Sequence, residues 1–176
     1  MEYGAIAVII SALIGATIAI VVVSSNKIAA KKKAAIDMLL TLRIDGDFLG
    51  NQQVFRKAAS RNELLGILSP STEDDFKNKL AIQNYLNIYE LISVAVRQEA
   101  IDESVCQSLM GDTLVRRWNE AKDLIETIRE KDTSNTTEAF FSEFQLVAET
   151  WSKKEKIINH HSMVGTIKDV LFHHKQ

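Results

Sequence analysis

Asn87, Glu90 and Arg97 stand at offsets of three and seven in the stretch NYLNIYELISVAVRQEA, and Arg129 closes the next long apolar-periodic segment. On a helix these offsets bring the three side chains toward one face, with Arg129 available from a neighbouring helix. A carboxylate and arginines facing one another inside a bundle could hold an anionic ligand or a catalytic proton. The simpler reading is a structural polar network that fixes helix register, because polar groups inside a core must find partners.

The other chemically capable residues point nowhere as specific. His160 and His161 are adjacent, as are His173 and His174. Neighbours on a helix point roughly 100° apart, and His160 and His174 would lie about 21 Å apart along one axis. Chelation on a helix wants spacings of three or four, so the histidines read as solvated side chains. Cys106 is the only cysteine, which excludes an internal disulfide, suits a reducing compartment and reads as a small packing residue. The sequence RIDGDF lacks the closing Glu and most ligands of a calcium loop. There is no Gly-x-Ser-x-Gly elbow, phosphate-binding glycine loop or His-Glu-x-x-His. No metal or cofactor is expected, and the chain does not read as an enzyme.

The elements that must position these residues read as helices throughout. Seven glycines and one proline in 176 residues, with no useful strand alternation, predict an all-α chain. A helix is expected to leave the apolar N-terminal run through NKIAAKKKAAIDMLLTLRI and to stop near DGDFLG, where Gly46 and Gly50 break the pattern. A shorter one follows over NQQVFRKAASRNELLGIL. Pro70 then forces a break, and Ser71 or Thr72 with Asp74 and Asp75 offers a cap for a long central helix. Its apolar residues, Phe76, Leu80, Tyr85, Leu86, Tyr89, Ile92, Val94, Ala95 and Val96, form a surface wider than one stripe.

Asp102 is expected to cap a short segment, ESVCQSLM, that Gly111 ends, with Asp112 or Thr113 capping a new helix over LVRRWNEAKDLIETIRE. That helix has one apolar face, Leu114, Trp118, Ala121, Ile125 and Ile128. After a polar loop, Phe140, Phe144, Val147 and Trp151 share a face while Phe141 falls off it and is free to meet a partner. A last helix is expected over EKIINHHSMVGTIKDVLFHH. The count is six or seven helices behind the first.

The first run sets the location. Gly4 to Val23 is twenty residues without a charge, about 30 Å of helix and enough to span a bilayer. Glu2 precedes it, and Lys27, Lys31, Lys32 and Lys33 follow, the reverse of a cleaved signal. Basic residues beside a span stay on the cytoplasmic side, so the reading is a single-pass membrane protein with its N-terminus outside and its C-terminal domain in the cytoplasm. The lysines would meet anionic lipid at the membrane surface. Ser11, Gly15 and Ala19 recur every fourth residue, a small-residue ridge that would let a second membrane helix approach and make a homo-oligomer.

The formal net charge is −2, and setting aside Glu2 and the four lysines leaves 17 of the 21 basic residues against 22 of the 23 acidic ones. Such an acidic remainder argues against nucleic acid as a partner. The expected organisation is a transmembrane anchor over 1–26, a juxtamembrane basic segment and helical connector over 27–69, and a helical domain over 70–176. The fold class is therefore all-α, a single N-terminal transmembrane helix followed by a cytosolic multi-helix bundle.

Between Asn84 and Trp151 the chain resembles a family of bacterial and phage-encoded, membrane-anchored helical proteins known only as a domain of unknown function. The matching positions are Leu86, Asn87, Glu90, Arg97, Ile101, Asp102, Glu103, Trp118, Arg129 and Trp151. The resemblance implies one membrane helix ahead of a helical domain, and by association a prophage- or defence-linked role. Without a catalytic motif, an anchor plus a helical module reads as an interaction or scaffold protein whose partners are the lipid bilayer and another protein. The alternative is a membrane-tethered enzyme or ligand-binding domain built on the Glu90, Arg97 and Arg129 group.

Overall fold

A computed structural model describes residues 2–131 and 140–153, with side chains from Leu13 onward. These residues are helical apart from short connections, with no strand among them. The first helix, α1, runs unbroken from Glu2 to Ile44, 43 residues or about 65 Å. It is the one described helix long and apolar enough to cross a membrane, and the apolar window within Leu13–Ile44 is wholly unburied. Farther along, the same helix packs on the rest of the chain, where Ala35 is fully buried and Met38 partly so.

Asp45 divides α1 from α2 (Gly46–Ser60) with a single non-helical residue. Its backbone is extended and its carboxylate accepts the Phe48 N–H at 2.6 Å, as an N-cap does. The glycines expected to break the helix lie inside α2 instead, at its first and fifth positions, so the break comes from capping and not from glycine flexibility. α2 accordingly starts five residues earlier than Asn51. It ends where Asn62 takes a left-handed backbone, φ 55°, a conformation asparagine tolerates. LLGIL, expected to continue that helix, forms a separate 3₁₀ turn over Leu64–Leu68.

Past Pro70, α3 (Glu73–Arg97) begins with a capping box in which Thr72 accepts the Asp75 N–H and Asp75 accepts the Thr72 N–H. Of its apolar residues, Tyr85, Leu86, Tyr89, Ile92 and Val96 are buried, whereas Phe76 and Leu80 face solvent in the first two turns. α3 ends in a Schellman motif: Ala100 N–H reaches the Ala95 carbonyl and Glu99 N–H the Val96 carbonyl. Glu99 occupies the left-handed position there, φ 53°. Its carboxylate meets Lys31 of α1 at 3.0 Å, and the Asp102 N–H donates to the Lys31 carbonyl, so this turn holds the base of α1.

α4 (Glu103–Lys131) is a single helix of 29 residues capped by Asp102, whose Oδ1 accepts the Val105 N–H at 3.0 Å. The expected break at Gly111 does not occur, so Asp112 and Thr113 are interior residues and the expected helix count falls. Gly111 is buried because Trp151 packs over it: an added Cβ would lie 3.8 Å from Trp151 Cε3 and 3.4 Å from Gln107 Cγ. Leu114, Trp118, Ala121 and Ile125 all reach the core.

The last described helix, α5, occupies residues 142–153. Phe144, Val147 and Trp151 are buried on one face, and the Trp151 indole donates to Glu103 at 3.0 Å. Phe141, expected to point outward, is 3% exposed, because its φ of 57° turns the chain at the start of α5 and folds the ring inward. The polar loop before α5 and the expected final helix fall largely on 132–139 and 154–176, outside the described residues.

The core runs along a chain of rings. Phe48 and Phe55 of α2 meet Tyr85 at 5.3 and 5.0 Å, Tyr85 meets Tyr89, and Tyr89 stacks on Phe144 of α5, which meets Trp118 of α4. Offset and edge contacts at these separations suit aromatic quadrupoles. Residues of the 27–69 stretch, Ala35, Phe55, Leu64 and Ile67, share this core with α3 and α4.

Candidate functional site

Glu90, Arg97 and Arg129 converge on the start of α5. The Glu90 carboxylate accepts the N–H groups of Phe144 and Glu143, at 2.7 and 3.3 Å. Those are unsatisfied donors of a helix N-terminus, where a carboxylate also meets the positive end of the dipole. Arg129 donates from Nε and Nη2 to the Phe140 carbonyl, at 3.0 and 2.7 Å, and from Nη1 to Gln145 at 2.8 Å. Arg97 pairs with Glu143 at 2.9 Å. Three side chains from α3 and α4 thus grip one end of α5. Asn87 is exposed and takes no part in these hydrogen bonds and ion pairs.

The grip lies at the rim of the domain and not in its centre: the Arg97 side chain is 49% exposed and Glu143 30%. Glu90 is half-buried, and burial pushes its carboxyl above the usual value of 4.5 against the opposing pull of the two N–H bonds. Every charged group here is engaged with α5 backbone or side chain.

A second polar group sits deeper and was not evident from spacing. The Tyr85 and Tyr89 hydroxyls share a hydrogen bond of 2.9 Å, and Gln52 donates to Tyr85 at 3.4 Å. Beside them lies Arg117, 5% exposed, with its guanidinium 5.6 Å from the Phe55 ring centre and Nη1 paired with Glu120. Burial lowers the Arg117 pKa, but nearby Tyr85, Glu120 and Tyr89 outweigh it and the net shift is upward. Burial also drives the Tyr89 hydroxyl far above its ordinary range. One signal was available: Arg117 falls three residues after Leu114 and four before Ala121, on the buried stripe of α4.

Two clefts flank this group. One, about 720 Å³, lies between α2 and α4 and is lined by Arg56, Lys57, Arg116, Arg117 and Glu120. The other, about 520 Å³, is apolar and lies where α1, α2 and α4 meet, with Leu39, Leu42, Leu49, Leu109 and Met110 among its walls.

The remaining candidates lie elsewhere. Lys27, Lys32 and Lys33 project from α1 into solvent, Lys33 pairs with Asp37, and Lys31 is engaged with Glu99. Gly15 and Ala19 are exposed on α1, whereas the Ser11 side chain is outside the described residues, as are the four histidines. Cys106 is fully buried, and burial pushes its thiol up to about 11, which keeps it protonated and unreactive. Among the described residues no group of three or more His, Cys, Asp or Glu is placed to hold a metal ion.

No curated protein and no solved structure matches the chain. One family does, a domain of unknown function (DUF4760), over residues 9–151. The match takes in α1 from within its apolar run, every later described element and the closing Trp151, and on that coverage the chain belongs to the DUF4760 family.

Proposed function

We propose that this chain is a single-pass protein of the bacterial inner membrane that holds a helical domain on the cytoplasmic side and acts by binding another protein. The observation that carries this reading is the continuity of α1. One helix begins as an exposed apolar rod and ends packed in the domain core at Ala35, with the lysines between the two parts. A helix without a break transmits the position of the membrane directly to the domain, and basic residues at that point favour the cytoplasmic side. Exposed Ile36, Leu40, Ile44 and Leu49 cluster at the α1–α2 corner, an apolar surface suited to a protein partner. The exposed Gly15 and Ala19 support pairing of two anchors in the membrane.

An interaction role is favoured over catalysis because the charges of Glu90, Arg97 and Arg129 are spent on the end of α5. The prophage- or defence-linked role rests on the family resemblance alone. The reading is tested by a C-terminal alkaline phosphatase fusion, which should be inactive because the enzyme works only outside the cytoplasm. Strong activity overturns the orientation, and recovery of the full chain in the soluble fraction overturns the anchor.

A further inference from the structure

The cleft between α2 and α4 concentrates positive charge on a chain whose overall balance is negative. Arg56 and Lys57 come from one wall and Arg116 and Arg117 from the other, against the single carboxylate of Glu120. Among the described residues Arg56, Lys57 and Arg116 have no ion-pair partner, so no described carboxylate offsets their charge. Arg117 differs from them in being 5% exposed, and its Nε is buried with no hydrogen-bond acceptor. Leaving a buried guanidinium donor unmet costs free energy, and the same side chain forms part of the cleft wall. Its plane is also fixed, by Phe55 below and Glu120 beside it. A preset guanidinium flanked by exposed cations suits a tetrahedral oxyanion, which accepts several charge-assisted hydrogen bonds at once.

From this geometry we infer that the α2–α4 cleft is a binding site for a phosphate group. It does not depend on the membrane reading above. The phosphate has two sources, a small soluble ester or a lipid headgroup. The apolar cleft bears on the second, because both clefts include Gln52 and Thr113 in their walls and an acyl chain could pass from one to the other.

The test uses the full chain in a neutral detergent, titrated by calorimetry with inorganic phosphate and, separately, with dihexanoyl phosphatidic acid. Saturable binding of both with similar affinity assigns the cleft to a free phosphate group. Phosphatidic acid binding at least about tenfold tighter assigns it to a lipid headgroup, since tenfold corresponds to about 1.4 kcal/mol from the added apolar contact. In either case Arg117→Met abolishes binding. Because that variant also removes a buried side chain from the core, the decisive one is Lys57→Gln with Arg116→Gln, both exposed. It should weaken binding about tenfold or more while thermal unfolding stays unchanged. Failure of both probes to bind, or binding that the double variant leaves intact, overturns the site.

Discussion

The Glu90 carboxylate accepts the Phe144 N–H at 2.7 Å, across 54 residues of sequence. A side chain in the C-terminal half of α3 therefore serves as the N-terminal cap of α5, a task that helices ordinarily give to the residue just before their own first turn. Arg129 completes the arrangement by gripping the Phe140 carbonyl just ahead of that terminus. Removing the carboxylate should free the start of α5 without emptying any core volume. Glu90→Ala is expected to cost about 1–3 kcal/mol, the range for a charged hydrogen-bonding group that leaves backbone donors unmet. Glu90→Gln, which keeps one acceptor, should cost less. Chemical denaturation of the three proteins checks the order, and equal stability of all three would show that Glu90 does not hold α5.

The same contact predicts a pH dependence. Burial raises the Glu90 carboxyl above 4.5, so the folded chain holds that proton more tightly than the unfolded one. This group's contribution to stability is then fully present below the unfolded value and is lost as the pH rises through the folded value. Asp75 and Asp102 act in the opposite sense. Hydrogen bonds, chiefly from the Thr72 and Ser104 hydroxyls, hold them below 3.8, and their contribution is lost as pH falls through their folded values. Comparing wild type with Glu90→Gln isolates the first effect: the wild type should gain on the variant as the pH falls from neutral toward 4.5. A loss over that fall in pH would mean that the N–H bonds outweigh burial.

Much of this fold was legible in the sequence because the signals are local. The capping set of Thr72 and Asp75 after Pro70, and the cap at Asp102, need only neighbouring residues to be read. The apolar stripe of α4 follows from helical spacing. What escaped has its cause elsewhere in the chain. Gly111 reads as a stop until Trp151 is seen lying over it, and Phe141 reads as a surface ring until its left-handed backbone turns it inward. At the rim, spacing alone brought Asn87 into a group whose real focus is the terminus of α5. Arg117 was hidden for the opposite reason, since a cation on an apolar stripe looks like an exception until Phe55 and Glu120 are placed around it.

Gly111 offers a test of that long-range cause. In a helix interior glycine costs about 1 kcal/mol relative to alanine. The space over Gly111 just admits a methyl group, at ordinary contact distance from Trp151 and tight against the flexible Gln107 side chain. Gly111→Ala should therefore be neutral or raise the melting temperature. Gly111→Leu should lower it by pushing Trp151 off α4 and breaking its bond to Glu103, which a shift in tryptophan fluorescence would report. A stable Gly111→Leu with unchanged fluorescence would remove Trp151 from this contact.

The junction between the exposed apolar part of α1 and the domain rests on Ala35. It is fully buried where α1 meets the core, while Ala34, one residue earlier on the same helix, is exposed. The two positions share helix propensity, distance from the lysines and position along α1, so only packing separates them. Ala34→Leu should leave stability within about 0.5 kcal/mol, whereas Ala35→Leu must displace α1 or its neighbours and should cost about 1–3 kcal/mol. The displacement should also loosen the contacts one turn earlier, where Lys31 meets Glu99 and the Asp102 N–H. Trypsin then provides a direct readout. Cleavage after Lys31 to Lys33 should be slow in the wild type and in Ala34→Leu, because a helix held against the domain resists the extended conformation a protease requires, and faster in Ala35→Leu. Equal cleavage rates in all three would mean that α1 is free of the domain at this point, and the proposal that α1 carries the position of a membrane into the fold would fall with it.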